Sequence, residues 1–162
     1  MERGVKMAEQ TSVKKKKSPP KPLKRKGRGS WLKEVPKTLP SLQQAYRLGE
    51  RASQVGFDWP NIEGVLKKLE EELVEFHEAL RSKNRKRIFE EMGDLLFVLT
   101  NLARFLRINP EEALKNTLKK FRLRFQYMES SLGREGRSLS QSNLPEMDQL
   151  WEEAKQWEGR LK

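Results

Sequence analysis

Apolar positions along this chain recur at helical spacing, and no stretch alternates apolar and polar residues as a strand would. Leu42, Ala45, Tyr46, Leu48 and Ala52 predict a first helix over about 42–55, interrupted by the run Gly56-Phe57-Asp58-Trp59-Pro60. A second helix is expected from Pro60 or Asn61 to about 80, with Pro60 suited to a first-turn position. Its apolar stripe is Ile62, Val65, Leu66, Leu69, Leu73, Phe76 and Leu80. A third helix starts from an Asn84 cap and reaches about 106, its broad arc running from Ile88 through Met92, Leu95, Val98 and Leu102. Asn109-Pro110-Glu111-Glu112 supplies a cap, a first-position proline and an acid three residues after the cap, so a fourth helix runs to about 132. A Gly- and Ser-rich loop over 133–145 leads to a short fifth helix around 145–157. The expected fold class is an all-α helical bundle over residues 41–158, with 159–162 as a C-terminal end.

Two pairs of acids interrupt this pattern: Glu72 with Glu75, and Glu91 with Asp94. Members of each pair are three residues apart and share a helix face. Glu72 borders the apolar stripe of its helix, while Glu70 and Glu71 read as ordinary solvated surface. On the third helix, Glu91 projects between the directions of Val98 and Leu102, and Asp94 close to Phe105, with Asn101 two turns along the same side. A carboxylate inside an apolar arc costs several kcal/mol unless it is paired or metal-bound. Arg or Lys partners would satisfy it; so would a divalent cation. Two such pairs face to face make a four-carboxylate cup whose hard oxygens suit Mg²⁺ or Mn²⁺. His77 is the only histidine and reads as surface or structure, and Gly93 beside Asp94 leaves room for close packing or ligand approach.

A basic flank accompanies the fourth helix. Lys120 and Arg124 lie one turn apart beside the stripe Leu114, Leu118, Phe121, Phe125 and Met128, whereas Lys119 and Arg122 point elsewhere. Alone this pair is ordinary surface; opposite an acidic metal cup it suits a polyphosphate, which needs both cations and donors. Trp59, Phe57 and Trp151 are each able to stack on a base or to anchor the core.

Charge divides the chain. Residues 1–40 hold 13 Lys and Arg against 3 acids, while residues 41–162 hold 21 against 20. Lys14–Lys17, Pro19, Pro20, Pro22 and Lys24 to Arg28 predict a disordered basic tail, able to touch nucleic acid electrostatically but without sequence preference. Trp31, Leu32, Val35 and Leu39 are placed to tack its end onto the domain. There is no cysteine, which excludes disulfides and thiolate metal sites. No segment has the length of a membrane span, and the opening MERGVKMAEQ lacks the apolar core of a signal peptide. The expected setting is cytoplasmic, with no membrane partner.

Glu71-Glu72-Leu73-Val74-Glu75 followed by Glu91-Met92-Gly93-Asp94 resembles the EExxE…ExxD signature of MazG-type nucleoside triphosphate pyrophosphohydrolases. The likeness extends through VGFDWP, EEMGDLLFVLTNLAR, KKFRLRFQYME and LPEMDQLWEEAK, covering about 41–158. It implies an all-α domain that oligomerises, as a homodimer or homotetramer, and hydrolyses NTP or dNTP to the monophosphate and pyrophosphate. It implies Glu72, Glu75, Glu91 and Asp94 as metal ligands, and Asn101, Lys120 and Arg124 at polar positions that contact substrate or support the site. Trp151 falls on an aromatic position near the nucleotide, and Trp59 is a second stacking candidate. Water would attack the α-phosphorus, with Glu71 or Glu72 taking its proton. Two-domain members of the family carry a second copy of the domain; this chain resembles their catalytic C-terminal copy and has the lysine-rich extension where the other stands.

Two competing classes remain at this point. One is a helical protein that binds nucleotide or metal without turnover; the other is a nucleic-acid-associated protein working through residues 1–40. Ferritin-like metal oxidation fits poorly, because the helices lack Glu-x-x-His ligands.

Overall fold

A computed structural model describes residues 31–160, and the expectations for residues 1–30, including most of the basic tail, lie outside the described residues. The described residues form five α-helices: α1 (Ser41–Gln54), α2 (Ile62–Ser82), α3 (Arg85–Phe105), α4 (Pro110–Arg134) and α5 (Leu144–Gly159). Short 3-10 turns precede α1 at Trp31–Glu34 and α5 at Leu139–Gln141. The described residues contain no strand, and the architecture is the expected all-α bundle.

Asparagine starts four of the five helices. The side chain of Asn61 accepts from the Gly64 N–H, Asn84 from Lys86 and Arg87, Asn109 from Glu111 and Glu112, and Asn143 from Glu146. Each such cap satisfies amides that the helix leaves orphaned, contributing about 1 kcal/mol. Two local expectations need correcting. Pro60 is not in the first turn of α2 but precedes its cap, because Asn61 has the extended backbone and the acceptor that a cap requires. Glu112 does not close a reciprocal capping box; its carboxylate turns outward to Lys115 at 2.9 Å.

α2 and α3 form an antiparallel hairpin across a two-residue link in which Lys83 takes the left-handed conformation. α1 lies against α3, and its close approach depends on Gly49. A Cβ there would fall on Asn101 Oδ1 and 3.1 Å from Arg104 Nε. Upstream of α1, Glu34 pairs with Arg51 at 2.6 Å, and the Gln44 amide donates to the Lys37 and Leu39 carbonyls, so residues 34–39 are tied to that helix. α4 and α5 pack mainly on each other, with α4 touching α1 and only sparsely α3. The buried apolar side chains divide accordingly: Val65, Ala79, Leu95 and Val98 in the α2–α3 hairpin, Met128, Leu132 and Ala154 between α4 and α5. No helix among the described residues is long and apolar enough to cross a membrane.

Candidate functional site

The α2–α3 hairpin brings three of the acids together. One carboxylate oxygen from each of Glu72, Glu91 and Asp94 lies within 4.8 Å of the other two. Glu72 is the buried member at 5% exposure, Glu91 is partly covered, and Asp94 is exposed. This reverses the expectation from helix periodicity, in which the second pair had the less solvent. The row Val65, Glu72, Ala79 is what α2 turns toward α3, whereas Leu66, Leu73 and Leu80, one residue further round, stand between 41% and 45% exposed. Ala79 and Val65 are the slimmer side chains, and their row permits the closer helix approach.

Glu72 divides its two oxygens. Oε1 accepts from Lys68 Nζ at 2.8 Å, while Oε2 is buried with no hydrogen-bond partner among the described residues. Lys68 also pairs with Glu71 at 2.6 Å. Its ammonium is held above the ordinary lysine range, first by the hydrogen bond to Glu71 and then by that to Glu72. Glu75, one turn along from Glu72, is half-buried and stands outside the tight trio. Its carboxyl is pushed up by desolvation, then by the neighbouring Glu72 charge. Arg87 comes within 3.8 Å of Glu91 and 3.7 Å of Glu78. The local balance is negative, and the orphaned buried oxygen has a physical claim on a cation: hard oxygen donors converging at this spacing fit a divalent ion.

Lys120 and Arg124 stand on α4. Arg124 donates from Nε to Glu158 Oε2 at 2.9 Å, and its guanidinium lies 5.5 Å from the Trp151 ring centre. Trp151 also packs against Phe121 at 5.3 Å, so Arg124 and Trp151 form one aromatic-cationic group with Lys120 a turn away on the same helix. α4 is not a principal packing partner of α2, and it meets α3 at few positions. Within one chain, the acidic trio and the basic group therefore occupy different helix pairs.

The remaining candidates are dispersed. Asn101 is 2% exposed beneath Gly49, donating to the Phe97 carbonyl and accepting from Arg104 Nε at 3.1 Å. It lies two turns beyond Asp94 on α3, about 10 Å along the axis. Trp59 packs over Gly64 at the start of α2, while Phe57 and His77 are exposed. A Cβ at Gly93 would meet nothing within 4 Å, so that glycine makes no close helix contact here. Glu71 is exposed and tied to Lys68. Sequence reasoning missed Lys68, Arg87 and Glu158. The first two carry a signal in hindsight, since each lies four residues before a cup acid on the same helix face. Glu158 carries none, being 34 residues from its partner.

Residues 61–128, which include the acidic trio together with Lys120 and Arg124, match the family model described as the MazG nucleotide pyrophosphohydrolase domain. The chain is 44% identical over 132 residues to the nucleoside triphosphate pyrophosphohydrolase/pyrophosphatase MazG of Thermotoga maritima, covering 82% of this chain and 51% of that protein. It is 36% identical over 135 residues to a nucleoside triphosphate pyrophosphohydrolase of Escherichia coli K12, with the same two coverages. A 70-residue stretch is 53% identical to the uncharacterized protein YabN of Bacillus subtilis, covering 43% of this chain and 14% of that protein. The chain spans about half the length of the first two relatives.

Proposed function

We propose that the chain belongs to the MazG-type nucleoside triphosphate pyrophosphohydrolase family and hydrolyses nucleoside triphosphates to the monophosphate and pyrophosphate. The observation that carries this reading is the acidic trio with its orphaned Glu72 oxygen, an arrangement that costs stability without a cation and gains from one. Glu72, Glu91 and Asp94 would hold Mg²⁺, with Mn²⁺ as a substitute, and Glu75 would complete the set from one turn away. When bound, the ion supplies charge neutralisation to the triphosphate.

The chain's own residues do the rest. Lys120 and Arg124 bind the polyphosphate oxygens, and Trp151, with Trp59 as a second candidate, stacks on the base. Asn101 supports the site from beneath α1 rather than by reaching into the trio. A water adds its oxygen to the α-phosphorus; the bond from that phosphorus to the bridging oxygen breaks in line, and pyrophosphate leaves with the electron pair. Glu71 or Glu72 accepts the water's proton. Glu71 has the solvent access and Glu72 the position within the trio.

A second copy of the chain belongs in this reading. Leu66, Leu73 and Leu80 repeat every seven residues along α2 with substantial exposure, as do Leu114, Leu118, Phe121 and Phe125 on α4. A seven-residue leucine row is the surface that another helix packs against. A homodimer or homotetramer would cover it and bring a basic α4 face toward an acidic hairpin.

The experiment is turnover of a panel of NTPs and dNTPs with Mg²⁺, with both products identified, for the native chain and for Glu91→Gln. Pyrophosphate release should be abolished in the variant while its helix content is retained. Near-native turnover by Glu91→Gln would sink the assignment.

A further inference from the structure

Arg124 has a partner that the proposed reaction does not use. Its Nε donates to Glu158 Oε2 at 2.9 Å, and its guanidinium rests over Trp151. Glu158, in the last turn of α5, is 9% exposed. A carboxylate that deeply placed costs several kcal/mol unless paired, and the half-buried Arg124 supplies the pairing. The carboxylate's effect is geometric. A guanidinium is a planar fork with one donor at Nε and four on the two terminal nitrogens. A carboxylate on Nε at 2.9 Å and an indole ring centred 5.5 Å from Cζ together restrict where that plane can sit. No hydrogen bond from Nη1 or Nη2 forms among the described residues, so the terminal edge is kept for something else.

We propose that Glu158 is a positioning residue for Arg124, holding the guanidinium so that its two terminal nitrogens meet the phosphate oxygens of a nucleoside triphosphate. This rests on the reading above, in which Arg124 contacts the polyphosphate. Glu158 never touches the substrate. It removes the rotamer freedom that Arg124 would otherwise lose on binding, and so acts on affinity rather than on the bond-breaking step.

The test measures the Kd of an NTP analogue with a non-hydrolysable α,β-bridge in the presence of Mg²⁺, together with kcat and KM for the corresponding NTP. Four full-length chains are compared: native, Arg124→Ala, Glu158→Gln and the double variant, each checked for helix content. Glu158→Gln should weaken analogue binding about tenfold, on the scale of one charge-assisted hydrogen bond, and raise KM in step with Kd while kcat stays within about twofold of native. In the Arg124→Ala background the same substitution should change Kd by less than about twofold. Glu158→Asp keeps the charge on a shorter stem and should fall between native and Glu158→Gln, which separates positioning from fold if the Gln variant is poorly folded. Weakened binding in Arg124→Ala beside native binding in Glu158→Gln and Glu158→Asp overturns the positioning role alone. So does an effect of Glu158→Gln that adds in full to that of Arg124→Ala. Native binding in Arg124→Ala overturns the polyphosphate contact itself, and the positioning role with it.

Discussion

The two helix pairs of this molecule treat buried charge in opposite ways. Between α2 and α3, three carboxylates converge, one lysine answers Glu71 and Glu72, and one oxygen of Glu72 has no partner among the described residues. Between α4 and α5 and in their connection, charges come matched: Arg124 with Glu158, and Arg137 with Glu146. Matched pairs fix side chains in place and need nothing further. An unmatched cluster stores unfavourable energy that a ligand of the opposite sign relieves. The first pair of helices is therefore where a cation should act, and the second is where geometry is set for an anion.

Neutralising one member of the unmatched cluster is the strongest way to break that comparison. Glu72→Gln keeps the shape and an acceptor for Lys68 while removing one of the proposed metal ligands. Pyrophosphate release should fall by at least about a hundredfold, the scale of a lost electrostatic contributor in an active site. Stability in chelator should stay within about 1 kcal/mol of native by urea titration, because one of three crowded charges has gone. Mg²⁺ should raise the melting temperature of the native chain and leave that of the variant unchanged. A Glu72→Gln chain that unfolds in chelator would mean the carboxylate is structural, and the contrast between the two helix pairs would lose its meaning.

Much of this contrast was legible before any coordinates. The helices were, because Asn84 and Asn109 are strong starts and the apolar period is regular. The acidic trio was legible because i and i+3 acids on adjacent helices have few places to go. Which acid is buried was not. That depends on α2 turning Val65, Glu72 and Ala79 inward and leaving the leucine row outside, a choice made by packing against α3. Spacing puts Asn101 two turns beyond Asp94 on one side of the helix, and the family resemblance implies a polar site position there, yet its side chain is held by Arg104 and the Phe97 carbonyl. The bidentate pairing of Arg104 with Asp58, which anchors the loop carrying Trp59, joins residues 46 apart and leaves no local trace. The same limit hid Glu158 as the partner of Arg124.

The apolar faces sharpen the comparison next. If the leucine row of α2 meets a second copy, Leu73→Lys places a charge on the interface from both sides. Burying a leucine contributes about 1.5–3 kcal/mol, so two copies of the substitution should weaken association by at least about a hundredfold. Sedimentation at micromolar concentration should then give a monomer where the native chain gives a dimer or tetramer. A native chain that already sediments as a monomer would contradict the oligomer and leave the exposed row without a role.

The smallest expected effect probes the matched side. Glu146 accepts from Arg137 at 2.6 and 2.8 Å and from the Ser142 hydroxyl at 2.5 Å, closing the turn between α4 and α5. The Arg137 guanidinium, and after it the Ser142 hydroxyl, hold the Glu146 carboxyl down at about 2. A carboxylate whose pKa is depressed by folding adds stability that is complete above its unfolded value, near 4.3, and is lost as pH falls toward the folded value. Arg137→Met should therefore melt below the native chain at pH 6, with the gap closing as pH falls from about 4.5 toward 2. The pair is partly open to solvent, so added salt should narrow the gap at pH 6 as well. A gap that is flat across this range would show that Arg137 stabilises the turn by packing its stem, and that the matched charges beside α5 contribute little as charges.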